Sequence, residues 1–341
     1  MFFRNLFFNS KKLIADMIDR TGFIDIGLRL SKRRFIFGYH RVLPDHTAKN
    51  AFIQSCMVTS SSAFEAQINW MKNCGKIVNL EKIVNFEQKN HEPWFAITFD
   101  DGWKDTFDCA YPILKKHNVP AMVFLATDAV STGNMPWPDE VYEKAGEAII
   151  RGRGDSVRAY FVEDFLLKPD DVTRRDYREI LDAFIETLKL CDAQERSIRI
   201  RKYYERIGAP ILPISGSMMS WDDARAMLSS GVISFGSHTK SHLILQGSDP
   251  VTISDELTES KKVIQQQLGV ECDWFAYPNA RWERQHERIL TSAGYRYSVT
   301  LISKKLERTD PAHLLPRYMV YDDIAGVFGY LKLRMLGIPF Y

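Results

Sequence analysis

The chain has 341 residues, which is long enough for one large domain or for two. With 45% hydrophobic and 26% charged residues, its composition is that of an ordinary soluble globular protein. The 45 Lys and Arg residues nearly balance the 43 Asp and Glu residues, and a net charge of +2 argues against a surface that coats nucleic acid.

The five cysteines are widely scattered and form no C-x-x-C pair. A disulfide framework or a thiolate zinc site is therefore not expected, and reduced thiols in the cytosol fit better. No apolar stretch near the N-terminus is followed by a small-residue cleavage site, and nowhere do about 18 apolar residues follow one another. These features predict a cytoplasmic protein without a signal peptide or a transmembrane helix.

Between residues 35 and 136, short apolar runs alternate with helical patterns. The predicted elements are a strand at 35–39, a helix at 63–75, a strand at 94–99, a helix at 104–117 and a strand at 121–127. Strands that alternate with helices of this length indicate βαβ units in a parallel sheet or barrel.

The alternation stops at about residue 139 and resumes near residue 216. The intervening residues have helical spacing and predict a helical insertion. The later elements are a helix at 220–231, where Ser220 and Asp223 have capping-box spacing, a strand at 232–237, a helix at 254–268, a strand at 274–277, a helix at 284–293 and a strand at 297–300. No internal repeat interrupts this order.

The pattern divides the chain into five segments, of which the two ends have a character of their own. The segments are a helical, amphipathic N-terminal segment (1–34), a first barrel part (35–136), the helical insertion (137–215), a second barrel part (216–320) and an apolar C-terminal segment (321–341). Near the N-terminus, apolar residues recur at helical spacing at Phe3, Phe7, Ile14 and Ile18. The simpler interpretation is that both ends pack on the core or on a partner chain, and the alternative is a peripheral contact with the inner face of a membrane.

Polar residues stand at the ends of the predicted inner strands. In parallel α/β folds, functional groups collect at the carboxyl ends of the strands. In chain order, the residues at these ends are His40, Asp100 with Asp101, His238, and Pro278 with Asn279. Three of the four strands therefore deliver a titratable group to one rim.

His238 and His242 are four positions apart in SHTKSH. On a helical turn, this spacing would place both imidazoles on one face, where they could bind one metal ion, although an isolated pair of this kind is more often structural. Asp100 and Asp101 by themselves would be interpreted as a turn and a helix cap. Together, two histidines and one aspartate with an open position form the ligand set of a hydrolytic zinc site, and the second aspartate remains available as a general base.

The motifs TFDDG (98–102) and SHTKSH (237–242) resemble the first and second motifs of the polysaccharide deacetylase family, carbohydrate esterase family 4. FAYP (275–278) resembles the third motif, and GYHRV (38–42) resembles the N-terminal strand end of many members. The resemblance covers residues 35–136 and 216–320. It implies an α/β fold, a distorted (β/α) barrel of the polysaccharide deacetylase type with a helical insertion.

The resemblance also implies roles for the residues of the first two motifs. Asp101, His238 and His242 would bind a divalent cation, usually Zn²⁺. Asp100 would be the general base that deprotonates a water bound to the cation, and the resulting hydroxide would attack an acetamide carbonyl.

Further implied roles concern substrate binding. A backbone N–H near Tyr277, together with the cation, would stabilise the oxyanion, with Tyr277 and Pro278 beside the substrate. Thr239 would orient the substrate or cap its own turn. A histidine would then protonate the leaving amine.

The sequence departs from the family pattern at three points. WFAYP lacks the arginine that orients the base in many members, and Arg317 in LPRY is a candidate substitute. Ala280 stands where related sequences often have glycine, so a positive φ is not expected there. The late Leu-x-His motif is not evident, which leaves His40 and His313 as candidates for the general acid, with His40 preferred.

The leading hypothesis is a metal-dependent hydrolase that removes the N-acetyl group of an acetamido sugar. A cytosolic location would favour a carrier-linked intermediate of surface polysaccharide or glycolipid synthesis over a finished polymer. One alternative is a deformylase or an O-acetyl esterase with the same site. Another is a catalytically inactive carbohydrate-binding module.

Overall fold

The computed structural model describes residues 15, 17–50, 52–54, 57–86, 92–165, 176–191, 193–321 and 328–337. The apolar pattern predicted from Phe3, Phe7 and Ile14 lies outside these residues, as does much of the segment 321–341. The chain forms two compact units, which we call the barrel unit (1–49, 56–133 and 218–341) and the helical unit (50–55 and 134–217).

The described strands of the barrel unit are short and mostly apolar. They are β1 (Arg34–Tyr39), β2 (Arg41–Leu43), β3 (Val58–Ser60), β4 (Lys76–Ile77), β5 (Trp94–Phe99), β6 (Ala121–Leu125), β7 (Ile233–Ser237), β8 (Trp274–Ala276), β9 (Tyr297–Val299) and β10 (Tyr318–Met319). Eight of them form one parallel sheet in the order β10-β1-β5-β6-β7-β8-β9, with β4 paired to β5, while β2 and β3 form a separate pair.

The segment before β10 connects the two ends of the sheet. Leu315 bridges to Val299 of β9, and Leu315 N–H donates to Ser298 O at 2.9 Å. A few residues later, Tyr318 and Met319 pair with β1. The path of hydrogen-bonded neighbours therefore returns to its first strand, which agrees with the predicted (β/α) barrel.

Side chains of the inner strands alternate between two apolar layers. Along β1, Phe35, Phe37 and Tyr39 pack on the helices, whereas Ile36 belongs to a cluster inside the sheet. In β5 the odd-numbered residues likewise face the helices and the even-numbered ones face the interior. This alternation follows from the two-residue repeat of a strand. Continued by one residue, it directs Asp100 to the interior side.

The described α-helices surround the strands or form the helical unit. They are α1 (Phe23–Arg29), α2 (Asp45–Asn50), α3 (Ser61–Cys74), α4 (Leu80–Val84), α5 (Tyr111–His117), α6 (Thr127–Thr132), α7 (Trp137–Ile150), α8 (Gly154–Ala159), α9 (Tyr177–Leu188), α10 (Ala193–Ile207), α11 (Trp221–Ser229), α12 (Pro250–Leu268), α13 (His286–Ser292) and α14 (Phe328–Leu336). The helical unit contains α7 to α10, with its own core around Phe161, Phe184 and Tyr203.

Two sequence predictions about helices are confirmed. The capping box of Ser220 and Asp223 is present at the start of α11. Residues 104–117 are helical throughout, with a π-helical turn (Thr106–Ala110) directly before α5. Pro112 has no N–H to donate to the preceding turn, which interrupts a regular helix there.

Two further findings concern the described residues as a whole. None of their helices combines the length and the apolar character needed to cross a bilayer. None of the described cysteines, Cys74, Cys109, Cys191 and Cys272, takes part in a disulfide.

Candidate metal centre and active site

Asp101, His238 and His242 converge at the carboxyl ends of β5 and β7. Asp101 Oδ1 lies 3.4 Å from Nε2 of His238 and 3.4 Å from Nε2 of His242. One ligand atom from each residue lies within 4.8 Å of the others, so all three could contact a single ion. The carboxyl ends of parallel strands lie at the same edge of a sheet, and only β6 separates β5 from β7. Residues so distant in sequence can therefore meet.

The orientation of His238 is set by the neighbouring strand. Its Nδ1 lies 2.8 Å from Ala276 O in β8. Because a carbonyl oxygen only accepts hydrogen bonds, Nδ1 carries a proton, which leaves Nε2 as the ring nitrogen that can offer a lone pair to a cation. A backbone carbonyl at the outer nitrogen is a common arrangement for a metal-binding histidine.

The helical turn predicted for His238 and His242 is wrong. Residues 238–242 form a loop in which Thr239 has φ 65° and His242 has φ 60°. The buried Thr239 hydroxyl accepts a hydrogen bond from Leu243 N–H at 2.9 Å, and Glu256 Oε2 accepts from the N–H groups of Lys240 and Ser241. The loop bends back through these side-chain bonds, so the imidazoles meet without helical geometry. Of the two suggestions for Thr239, these contacts correspond to capping the turn.

Asp100 is held by Arg317 from inside the sheet. Arg317 Nη1 donates to Asp100 Oδ1 at 2.7 Å, and Nη2 donates to Oδ2 at 2.7 Å. Nη1 also donates to the Thr98 hydroxyl at 3.0 Å. Both partners are buried, so the pair is a two-pronged, charge-assisted contact sheltered from water. Arg317 thus touches the candidate base, as sequence reasoning anticipated.

The two candidate acids lie in different surroundings. His40 Nε2 is 4.0 Å from Asp100 Oδ2. His313 instead has its Nε2 at 3.2 Å from the Thr291 hydroxyl, and its backbone carbonyl accepts from Ser298 Oγ. Among the contacts of the described residues, only those of His40 connect a candidate acid to the aspartate pair.

The surroundings shift the pKa values of the site in opposite directions. Burial would raise the pKa of Asp100, but the charges of Arg317 and His238 and the Arg317 hydrogen bonds overcome it and hold this pKa well below its usual range. For Asp101, burial is likewise outweighed by the nearby histidines, His242 first, and its pKa is lowered. Burial lowers the pKa of His242 to about 4, despite the opposing charge of Asp101. The aspartates are therefore ionised and His242 is neutral near pH 7, which are the states that bind a cation.

Burial also lowers the pKa of His40, and the charges of Asp101 and Asp100 oppose the shift. Its imidazole is therefore neutral near pH 7.

The third motif differs from expectation at its backbone. Asn279 and Ala280 have φ 57° and 54°, so the positive φ that was not expected at Ala280 does occur. The N–H of Tyr277 donates to Val299 O at 3.2 Å as part of the sheet, and Pro278 has no N–H. The amide that sequence reasoning associated with Tyr277 is therefore engaged in strand pairing.

Three residues near the site were missed by sequence reasoning. Trp103 Nε1 donates to Asp101 Oδ2 at 2.9 Å. The guanidinium of Arg41 lies 4.4 Å from the centre of the Trp103 ring, and Arg41 Nε donates to Asp105 Oδ2 at 2.8 Å. Trp103 and Asp105 directly follow the aspartate pair in sequence, which is the one signal that could have drawn attention to them.

The ligand residues fit a divalent cation. Asp101 Oδ1 is buried and has no hydrogen-bond partner among the described residues. An unpaired buried carboxylate oxygen is costly unless a positive charge compensates it. With Nε2 of His238 and of His242 beside it, this oxygen completes a donor set suited to zinc.

The sequence profile of polysaccharide deacetylases matches residues 87–152 and 170–298, more than half of the chain. This chain belongs to the polysaccharide deacetylase family. The family match includes parts of the predicted insertion at 137–215, which the motif resemblance left outside. It does not extend to His40 or Arg317.

Two curated relatives of this deacetylase family member are similar over a limited stretch. A poly-beta-1,6-N-acetyl-D-glucosamine N-deacetylase of Staphylococcus aureus is 36% identical over 90 residues, which is 25% of this chain and 30% of that protein. Its counterpart from Staphylococcus epidermidis is 34% identical over 76 residues, 21% of this chain and 26% of that protein. The matched stretch thus spans less than a third of either relative.

Solved structures of deacetylases resemble this chain over most of its length. The deacetylase PplD of Streptococcus pyogenes has a TM-score of 0.55 at 16% identity, covering 87% of this chain and 96% of its own. IcaB of Ammonifex degensii has a TM-score of 0.56 at 17% identity, covering 89% and 98%. At such identities the likeness establishes the fold, and it confirms the predicted fold class.

Proposed function

We propose that this polysaccharide deacetylase family member is a metal-dependent N-deacetylase of an acetamido sugar. The observation that carries the proposal is the division of two adjacent aspartates between two sets of partners. Asp101 meets His238 and His242, while Asp100 is held ionised by Arg317. A cation ligand and a base side by side are what metal-assisted hydrolysis of an unactivated amide needs.

Asp101, His238 and His242 would hold the cation, for which we propose Zn²⁺. When bound, it would supply Lewis-acid activation of water and of the acyl oxygen. Asp100 would accept the proton that the attacking water loses. Arg317 keeps both Asp100 oxygens in fixed directions, so that the carboxylate can meet that water without first reorienting.

His40 is our candidate for protonating the leaving amine. Its Nε2 lies 4.0 Å from Asp100 Oδ2, close to the proton that Asp100 gains. A neutral imidazole can take up such a proton and pass it to the departing nitrogen. One proton of the water thus reaches the nitrogen, and the other stays on the acyl group, which leaves as acetic acid. Transfer of that second proton to the amine would give the final products, acetate and the ammonium form of the amino sugar.

For the substrate, we propose a carrier-linked sugar polymer or intermediate. The names of the staphylococcal relatives suggest oligomers of β-1,6-linked N-acetylglucosamine as the first substrate to test.

We also propose that the chain lies in the cytoplasm and makes a peripheral contact with the membrane. The membrane contact is supported by Phe23, Ile26 and Leu30, which are 73%, 53% and 74% exposed. They recur at helical spacing from the first residue of α1 to the residue after its last.

The test is product release by the zinc-loaded protein. We expect acetate, rather than formate, from N-acetylglucosamine oligomers. Asp100→Asn should lower the turnover by about 100-fold or more while bound zinc is retained, because it deletes the base and keeps the shape. Asp101→Ala should lose both zinc and turnover.

Other outcomes would select an alternative. Formate release, or hydrolysis of acetyl esters only, would identify a deformylase or an esterase. Sugar binding without any hydrolysis would identify a binding module. Wild-type turnover in Asp100→Asn would contradict the assignment of the base.

A further inference from the structure

Asp101 presents its two carboxylate oxygens to different partners. Oδ2 accepts the hydrogen bond of the Trp103 indole at 2.9 Å. Oδ1 is buried, lies 3.4 Å from Nε2 of both histidines and has no hydrogen-bond partner in the described part of the chain. Because the indole occupies one oxygen, the rotation of the carboxylate is fixed and only the other oxygen is available to a cation.

The backbone places the indole where it can make this contact. Asp101 and Gly102 have φ 73° and 89°, so the chain reverses tightly directly after the aspartate pair. Gly102 is required there, since a Cβ would come within 2.9 Å of the side chains of Leu125 and Val130. The reversal carries Trp103 back beneath Asp101, where the indole is fully buried.

A second pair of residues holds the ring. The Arg41 guanidinium lies 4.4 Å from the ring centre, a cation–π distance, and is itself fixed by Asp105 at 2.8 Å. Asp105 also accepts the N–H of Val42 through Oδ1 at 3.1 Å. Because Arg41 and Asp105 neutralise each other, they brace the indole without adding net charge to the site.

We propose that Trp103 is a positioning residue for the cation site, which makes Asp101 a one-oxygen ligand, and that Arg41 and Asp105 hold the indole in place. This rests on the proposed cation site of Asp101, His238 and His242. With Oδ2 engaged, Asp101 would offer the cation only Oδ1. Other positions on the cation would then be left for water and the acyl oxygen, as a hydrolytic site requires.

The test is a zinc affinity measurement on Trp103→Phe by competition with a chelating indicator. Phenylalanine keeps an aromatic ring under Arg41 but lacks the N–H. We expect about 10- to 100-fold weaker binding, the usual cost of losing an outer-shell partner of a metal ligand. In the Co²⁺-substituted protein, we expect weaker visible absorption, because a freed Asp101 can bind through both oxygens and raise the coordination number.

Trp70→Phe is the matched control. Trp70 Nε1 also donates to an aspartate, Asp25, at 2.9 Å, but Asp25 is not among the proposed ligands. We expect zinc affinity in this variant to equal that of the wild type. Circular dichroism and thermal unfolding of the apo-proteins separate a positioning effect from misfolding.

Each outcome decides one of the two proposals. Zinc affinity of Trp103→Phe within twofold of the wild type would overturn the role of Trp103. If Trp103→Phe does not fold, the double variant Arg41→Met/Asp105→Asn decides instead, since it releases the ring and leaves the N–H in place. Weaker zinc binding in the double variant supports the proposal and unchanged binding overturns it. Failure of the wild type and of Trp70→Phe to bind zinc would contradict the cation site itself.

Discussion

Asp100 and Asp101 are chemically identical neighbours that meet different partners. Asp100 continues the alternation of β5 and faces the interior, where Arg317 binds both of its oxygens. Asp101 has a positive φ, and its side chain points away from Arg317, toward His238 and His242. One backbone reversal therefore separates a candidate base from a candidate ligand.

The ion pair of Asp100 and Arg317 should be essential to stability. In the apo-protein, we expect Arg317→Met to lower the free energy of unfolding by about 3–5 kcal/mol at pH 7, because it leaves a buried carboxylate without a partner. Urea titrations of the variant and the wild type give this difference.

The stability lost in Arg317→Met should become smaller as the pH falls. In the wild type, the lowered pKa of Asp100 contributes stability that is present above the unfolded-state pKa and is lost as the pH falls through the folded-state pKa. In Arg317→Met, burial without a partner raises the pKa of Asp100, so this carboxylate becomes protonated at a higher pH. The free energy of unfolding of the variant should therefore approach that of the wild type as the solution is acidified below neutrality. The double variant Asp100→Asn/Arg317→Met should recover stability at pH 7. A loss that is independent of pH and is not recovered would mean that packing of Arg317, and not its charge, matters.

At the scale of elements, α1 has one face in the core and one in solvent. Ile24 and Leu28 are buried, whereas Phe23, Ile26 and Leu30 are exposed. Asp25, together with Asp19, forms an ion pair with Lys332, with 2.9 Å between Lys332 Nζ and Oδ1 of each aspartate. Lys332 thus compensates part of the negative charge of these two acids, and the exposed charged residues around the apolar face are Arg20, Arg29 and Lys32.

This face should bind vesicles that contain anionic lipid. Apolar side chains flanked by cations favour an anionic interface over a neutral one. We expect Phe23→Ser/Ile26→Ser/Leu30→Ser to reduce co-flotation with anionic vesicles several-fold while deacetylation of a water-soluble oligomer is unchanged. Ile150→Ser is the control, since Ile150 is 85% exposed but lies in the helical unit. Equal flotation of the triple variant and the wild type would remove α1 from the proposed membrane contact.

At the scale of the whole molecule, the proposed cation should act as a ligand of the folded state. All of its proposed ligands belong to the barrel unit and come from segments more than 130 positions apart in sequence. Such a site does not exist in the unfolded chain, so binding energy becomes folding energy.

Removal of the cation should therefore lower the thermal stability. We expect chelation to lower the unfolding temperature of the wild type, and zinc at about 1,000 times its Kd to restore about 4 kcal/mol of stability. His242→Ala should unfold at the same temperature with chelator or with zinc. Differential scanning calorimetry measures both, and a zinc-dependent shift that persists in His242→Ala would place the cation elsewhere.

The local pattern of the sequence was sufficient for much of the fold and for the composition of the site. Apolar runs of strand length, separated by helical spacing, predicted the order of the inner strands, because burial on both faces demands continuous apolar residues. The polar residues at their ends could be grouped at one rim, because the carboxyl ends of parallel strands share one edge of the sheet. The error at His238 and His242 arose because spacing alone does not reveal a loop stabilised by Thr239 and Glu256.

What the sequence by itself determined is which residues stand at the strand ends, since that depends on neighbours along the chain. Only the tertiary structure decided how they are paired. Arg317 is 217 positions from Asp100, and Arg41 is 64 positions from Asp105, so no local pattern could connect them. The orientation of Asp101 depends on an indole brought beneath it by a backbone reversal, and on histidines delivered by another strand. Such contacts arise from the closure of the sheet, which places distant chain segments within hydrogen-bonding distance.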